Sequence, residues 1–435
     1  MTSKKHADRV VTHLYQFQDF LRISSSIYST FALDIVLDTV LKQVLTLTNA
    51  YRAILFLRDP EQKSLHIEAT RTKDGQHMSA DEMPYNREIV EQVFNSKQPI
   101  MMDARQQEAN LPFHAIICVS LMLHGEAIGV LYADSKFDNA NLNKDLIPLL
   151  IIFANQVAVA IDNARSIEKQ RNEARLEHEI KIAEEIQHDF LPSAIPFVQG
   201  WLIEPFFLPA REVAGDFYDA FLLDEYRMAF IIGDVCDKGL GAALFMSLFR
   251  SLLRAYTEQQ SFVNYDSVDL HHAELSKLLQ TSVLSTNNYI AINHGLSNMF
   301  ATIFMGIIEP QSNGLIYINA GHNPPYVMNA QGEVKHTLPT NGPAVGMFPD
   351  MTFNVASVDI EKGDFIVCYT DGLTEAKNNA GSFFGEERLI DLFAHQPPTS
   401  ARDAVARIRS SVQAYVADAP QFDDITLLVI QHADE

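Results

Sequence analysis

The sequence predicts an α+β protein of more than one domain, and three observations predict it. The chain has 435 residues, more than a single hydrophobic core usually serves. From about Phe197 onward, short apolar runs alternate with Gly-, Pro- and Asp-rich turns around few helical stretches, the pattern of an α+β sandwich. Between about Asp162 and Leu191 the text has no Gly and no Pro and is dense in the good helix formers Glu, Lys, Arg and Ala. That helix separates the sandwich from an earlier mixed region.

Composition bounds the function classes. Lys and Arg total 33 against 55 Asp and Glu, a net charge of −22, which argues against nucleic acid or an anionic membrane as the main partner. Cys118, Cys236 and Cys368 are scattered and odd in number, so no disulfide framework is expected and a reducing, cytoplasmic location is. Residues 1–20 lack the apolar run of a signal peptide. The longest apolar run, Leu146–Ile161, is broken by Asn155 and Gln156 and is short for a membrane span; it reads as a buried helix.

The first region opens with helix from about Val10 to Ala50. Phe17, Phe20, Leu21 and Ile23 come first, and Ile35, Val36, Val40, Leu41, Val44, Leu45 and Leu47 then form an apolar stripe. Tyr51–Arg58 and Ser64–Thr70 are strand candidates, Arg87–Asn95 a short helix and Pro99–Met102 a short strand. Ile116–Leu123 and Ala127–Ala133 flank His124-Gly125-Glu126, a hairpin signal. Asn141–Ile167 is then helical. The hairpin text ICVSLMLHGEAIGVLYADS (Ile117–Ser135) resembles a GAF domain, which implies an antiparallel sheet flanked by helices over residues 10–165 and a role in sensing a small molecule or protein signal and in homodimerisation. Lys136-Phe137-Asp138 does not reproduce the acidic-aromatic signature of cyclic-nucleotide binders, and no ligand residue is named.

Residues 166–196 form a helical connector. Leu176, Ile180, Ala183, Gln187 and Phe190 recur at coiled-coil-like spacing, readable as a dimer seam or as a solvated spacer. Pro192 and Pro196 stop the helix.

The third region, 197–432, carries the chemistry. Its strand candidates are Trp201–Phe207, Met228–Ile232, Met299–Ile308, Leu315–Asn319, Pro325–Asn329, Thr352–Val358, Phe365–Tyr369 and Ile425–Ile430, with helices at Leu244–Thr257 and His271–Val283. Four separate strand edges each present an aspartate: Gly215-Asp216, Gly233-Asp234, Asp371-Gly372 and Asp423-Asp424. Glycine beside aspartate is ordinary turn chemistry, and it also suits a carboxylate set at a sharp strand end. Hard oxygen donors without Cys or His suit Mg²⁺ or Mn²⁺ over Zn²⁺ or copper. Two carboxylates ~5 Å apart repel by roughly 3 kcal/mol at an effective dielectric of about 20, so a gathered set takes up protons or cations.

The motifs PAREVAGDFYD (Pro209–Asp219), GDVCDKGLGAALFM (Gly233–Met246), NAGHNPPYV (Asn319–Val327), YTDGLTEA (Tyr369–Ala376), FFGEERL (Phe383–Leu389) and FDDITLLVI (Phe422–Ile430) together resemble the PPM family of metal-dependent serine/threonine phosphatases, in its bacterial SpoIIE/RsbU-like branch. The resemblance implies a sandwich of two antiparallel sheets with helices outside and two divalent cations, Mn²⁺ or Mg²⁺, at one edge. It implies that Asp234 bridges both cations, that the Val235 carbonyl is a further ligand, that Asp216 serves the second cation directly or through water, and that Asp371 and Asp423, with Asp424 as the alternative, complete the first. It further implies a phosphoserine or phosphothreonine protein as substrate, with an anti-sigma-factor antagonist in a partner-switching pathway as the expected one, and control by the GAF domain through a dimeric connector. Asp219 is expected to support a ligand. The His that broader relatives carry near the bridging Asp is missing after Val235 and Cys236. His322 and Arg211 are candidates for shaping the site and reaching phosphate, or plain structural and surface residues, and Asp237 stands where many members have Gly. The rival from another class is a catalytically silent, phosphatase-like binding module. A nucleotidyl cyclase leaves NAGHNPP and DDIT unexplained.

Overall fold

The computed structural model describes residues 33–59, 64–76, 84–103, 115–135, 144–263, 272–310 and 313–433. Phe17, Phe20, Leu21 and Ile23 of the expected first helix, and Lys136-Phe137-Asp138, lie outside them. The chain divides into two compact units, Met1–Leu176 and Glu177–Glu435.

In the first unit, α1 (Leu33–Thr48) precedes β1 (Arg52–Arg58) and β2 (Leu65–Thr72); α2 (Arg87–Ser96) and β3 (Ile100–Asp103) follow, then β4 (Ala115–Leu123) and β5 (Glu126–Ser135). The five strands form one antiparallel sheet in the order β2-β1-β5-β4-β3. Strand alternation sends Leu55, Leu57, Val119 and Leu131 to one face, where they pack with α1 and with Phe153, Val157 and Ile161. Ile54, Phe56, Cys118 and Tyr132 go to the other face, against Ile89 and Val93 of α2. His124 and Gly125 both have positive φ (48° and 85°), the two-residue turn whose twist matches a hairpin. Arg52 and Asp134, opposite each other on β1 and β5, form a buried ion pair at 2.8 Å.

The buried helix and the connector are one element, α3 (Ile147–Phe190). By length and composition an 18-residue window of it, of mean hydropathy 1.6, is apolar enough to cross a membrane. One face of that stretch, including Leu150, Phe153, Ala154 and Val157, is buried against the sheet.

The second unit contains β6 (Trp201–Leu208), β7 (Phe217–Leu222), β8 (Met228–Val235), α4 (Leu240–Val263), α5 (His272–His294), β9 (Ala301–Glu309), β10 (Gly314–Ala320), β11 (Tyr326–Met328), β12 (Val334–Thr337), β13 (Ala356–Asp359), β14 (Phe365–Tyr369), α6 (Asp371–Thr374), α7 (Glu386–His395), α8 (Ala401–Val416) and β15 (Ile425–His432). Two five-stranded antiparallel sheets result, ordered β13-β10-β9-β8-β7 and β12-β11-β14-β15-β6. Alternation again decides the layers. Phe230, Ile232 and Phe304 face Ile366, Cys368, Leu428 and Ile430 of the other sheet. Ala229, Ile231, Met305 and Ile307 face outward onto Met246, Phe249 and Leu279 of α4 and α5. Val367, Leu427 and Val429 pack on the helices α7 and α8 through Leu389, Ala404 and Ile408. The result is a helix–sheet–sheet–helix sandwich.

Two helices expected in this unit become four substantial ones, a correction. The sequence ARDAVARIRSSVQAYV of α8 buries Ala401, Ala404, Val405, Ile408 and Val412 at helical spacing, and the Ser400 side chain caps it by accepting from Asp403 N at 3.1 Å. The edge strand β12 is mostly exposed and polar, and so lacks the apolar alternation that marks a strand.

Candidate metal centre

Strand pairing brings the aspartates together in two steps. Phe217 of β7 lies opposite Gly233 of β8, so Asp216, just before one strand, and Asp234, near the end of its antiparallel neighbour, share one edge. Tyr369 of β14 lies opposite Leu427 of β15, which places Asp371 and the Asp423-Asp424 pair on one edge of the second sheet. Face-to-face packing of the sheets then unites the two pairs.

The electrostatics report that union. Burial, followed by Asp371 and Asp423, pushes the Asp234 carboxyl up to about 7, while a hydrogen bond with Asp216 acts the other way. Burial and then Asp234 hold Asp216 well above the ordinary carboxylate range, against the Thr426 and Thr370 hydroxyls. Asp371 is raised by burial, then by Asp423 and Glu375. Desolvation and like charge disfavour ionisation together.

Three of the carboxylates are also held. Thr370 and Thr426 Oγ1 donate to the same oxygen, Asp216 Oδ2, at 2.7 and 2.6 Å. Lys238 Nζ lies 2.8 Å from Asp423 Oδ2 and donates to the Phe422 carbonyl at 2.8 Å. Asp424 is differently employed: its two oxygens accept from the backbone N–H groups of Ala210 and Gly215, at 2.7 and 2.8 Å. It ties the loop before Asp216 to the start of β15. Among the described residues, no three His, Cys, Asp or Glu side chains stand close enough to hold one ion. The donor set itself, all hard oxygen and partly desolvated, fits a divalent cation of the Mg²⁺ or Mn²⁺ kind.

The glycines beside these aspartates work otherwise than expected. Gly215, Gly233 and Gly372 have no positive φ; among described residues the left-handed positions of this region are Asp237 (71°) and Gly239 (83°). What the three glycines provide is room. A Cβ at Gly372 would stand 1.9 Å from the Asp424 carbonyl, and one at Gly215 2.9 Å from that of Val235. The φ of Asp237 is one that glycine adopts without strain.

Asp219 corrects an expectation. It is fully buried and paired with Arg250 and Arg254 of α4, at 2.8 and 3.3 Å, so it pins that helix to β7. His322 is buried and neutral: burial lowers it to about 4, opposed by the Tyr369 backbone. Its Nδ1 meets Thr302 Oγ1 at 2.9 Å, and Thr302 lies opposite Asp234 on β9. It buttresses the strand. Arg211 is exposed. Sequence reasoning missed Lys238, Thr370 and Thr426, although each stands within a quoted motif. It also misassigned Gln187, which is not free for a coiled-coil seam. It is 7% exposed, and its amide donates to Ala214 O at 2.7 Å and accepts from Ala214 N at 2.9 Å.

Residues 224–433 match the family model described as Stage II sporulation protein E (SpoIIE), and residues 32–163 match that of the GAF domain. Protein IcfG of Synechocystis sp. is 42% identical over 263 residues, 58% of this chain and 41% of that protein. Phosphoserine phosphatase RsbU of Bacillus subtilis is 27% identical over 256 residues, 59% of this chain and 70% of RsbU. Phosphoserine phosphatase RsbP of the same organism is 26% identical over 264 residues, 60% of this chain and 59% of RsbP. The chain thus spans well under half of IcfG and little more than half of RsbP.

Proposed function

We propose that this chain, which joins a GAF domain to a SpoIIE-type domain of the PPM phosphatase fold, is a signal-regulated, metal-dependent phosphatase of phosphoserine or phosphothreonine proteins. The observation that carries the reading is the convergence of Asp216, Asp234, Asp371 and Asp423 on one sandwich edge, with the burial and mutual repulsion that raise three of them. The names of RsbU and RsbP support it. In this reading Asp234, Asp216, the Val235 carbonyl, Asp371 and Asp423 would hold the two cations, with Asp424 holding the loop. Two divalent cations supply Lewis acidity toward water and toward phosphoryl oxygens. The protein's part is to keep its carboxylates aimed and partly desolvated: Thr370 and Thr426 orient Asp216, and His322 and Thr302 support the strand of Asp234.

Domain limits of 10–165, 166–196 and 197–432, a cytoplasmic location and an anti-sigma-factor antagonist as substrate complete the proposal. Control passes from the GAF domain along α3 in a homodimer, supported by Ile167, Leu176, Ile182 and Ile186, which α3 leaves exposed. Hydrolysis of p-nitrophenyl phosphate by the full chain with Mn²⁺, lost with EDTA, is the expected result. Absence of turnover with either Mn²⁺ or Mg²⁺ would favour the silent binding module, and a monomer by light scattering at micromolar concentration would remove the dimer.

A further inference from the structure

A groove of about 410 Å³ opens beside the aspartate edge. Its volume lies within the about 300–1,000 Å³ of ligand sites. The C-terminal half of α8 and the turn out of it form one wall, α6 and Lys377 the other, and Phe206 and Leu427 the floor. Gly372 and Asp423 line its near end, so the groove is continuous with the proposed metal centre. Apolar lining dominates. The charges on it are cationic apart from Asp423, which Lys238 already engages: Arg409 stacks over Phe206 at 5.6 Å and Lys377 over the exposed Phe422 ring at 4.5 Å. On a chain of net charge −22, an apolar trough with a cationic rim selects an acidic partner.

Resting on the phosphatase reading, we infer that this groove is a substrate-recognition subsite, taking an apolar side chain set among acidic residues a short distance along the chain from the phosphoserine. The shared Asp423 fixes the side of approach, and an extended peptide advancing about 3.3 Å per residue reaches the trough within a few residues. Such binding acts on how substrate is chosen and leaves the chemistry to the aspartates.

The test uses the full chain with Mn²⁺ and phosphoserine peptides that have glutamate flanks and a single leucine moved along an alanine background. One leucine position should raise kcat/KM about tenfold over its alanine counterpart, mainly through KM. That ratio, measured within each variant, should fall to about one in Gln413→Trp and in Ala419→Trp. Replacing the peptide glutamates with lysine should lower kcat/KM, and Arg409→Glu should reverse that preference. No preferred leucine position, or a preference surviving in both tryptophan variants, overturns the subsite while wild-type hydrolysis of p-nitrophenyl phosphate keeps the phosphatase reading. Loss of both peptide and p-nitrophenyl phosphate turnover in the wild type overturns the two together.

Discussion

Gln187 and Ala214 are joined by a two-way hydrogen bond, side-chain amide to backbone, two residues before Asp216. The helix that runs on from the GAF-like region therefore ends by gripping the loop that presents a candidate ligand. Removing the amide leaves two buried backbone groups without partners, at about 1–3 kcal/mol each.

Gln187→Ala should accordingly lower phosphatase turnover about tenfold or more. Hydrogen exchange at the Ala214 amide should accelerate in step. Wild-type turnover with an unprotected Ala214 amide would show that the grip does not position Asp216.

Asp234→Asn and Asp371→Asn should each cut Mn²⁺-dependent turnover by more than about 100-fold. Because each removes one charge from a self-repelling set, the cation-free melting temperature should hold steady or rise. Retained Mn²⁺-dependent activity in both variants would falsify the assignment.

The cation-free protein should lose stability as pH rises. Asp234 titrates at about 7 and Asp216 and Asp371 are raised as well, whereas unfolded aspartates titrate near ~4. Between those limits the folded chain holds more protons than the unfolded chain, so the contribution is present at the acid end and declines toward neutrality. Melts in EDTA from about pH 5 to about pH 7.5 should show it, with a shallower slope in Asp234→Asn and in Mn²⁺. A slope unaltered by either would place the titration elsewhere.

Lys238 competes for Asp423. Its ammonium sits 2.8 Å from that carboxylate, with both side chains about a third exposed, a contact worth up to about 1 kcal/mol. Lys238→Met should tighten Mn²⁺ binding about fivefold by titration calorimetry, whatever happens to turnover. Weaker binding would mean that the lysine organises the site.

Gly372→Ala tests the close approach. The added methyl meets the Asp424 carbonyl at 1.9 Å, so β14 and β15 must separate at their edge. A loss of at least about 1–3 kcal/mol in urea unfolding is expected, against nearly none for Gly241→Ala, where a Cβ meets nothing within 4 Å.

By itself the sequence determined most of the strands, since apolar runs such as Phe365–Tyr369 and Ile425–Ile430 read directly as β14 and β15, whereas the strands β7 and β12 did not. It also determined the acidic residues at their ends and the order sensor, helix, sandwich, because periodicity and turn chemistry are local. Only the tertiary structure decided what each polar neighbour does. Asp423 and Asp424 are neighbours in the text, yet one meets the Lys238 ammonium and the other accepts two backbone amides. Asp219 lies among motif residues yet pins a helix, and Gln187 fits a heptad yet binds Ala214. Those roles depend on which strand edges and helix ends meet across long separations in the chain, and adjacent residues in a strand or turn point to different neighbours.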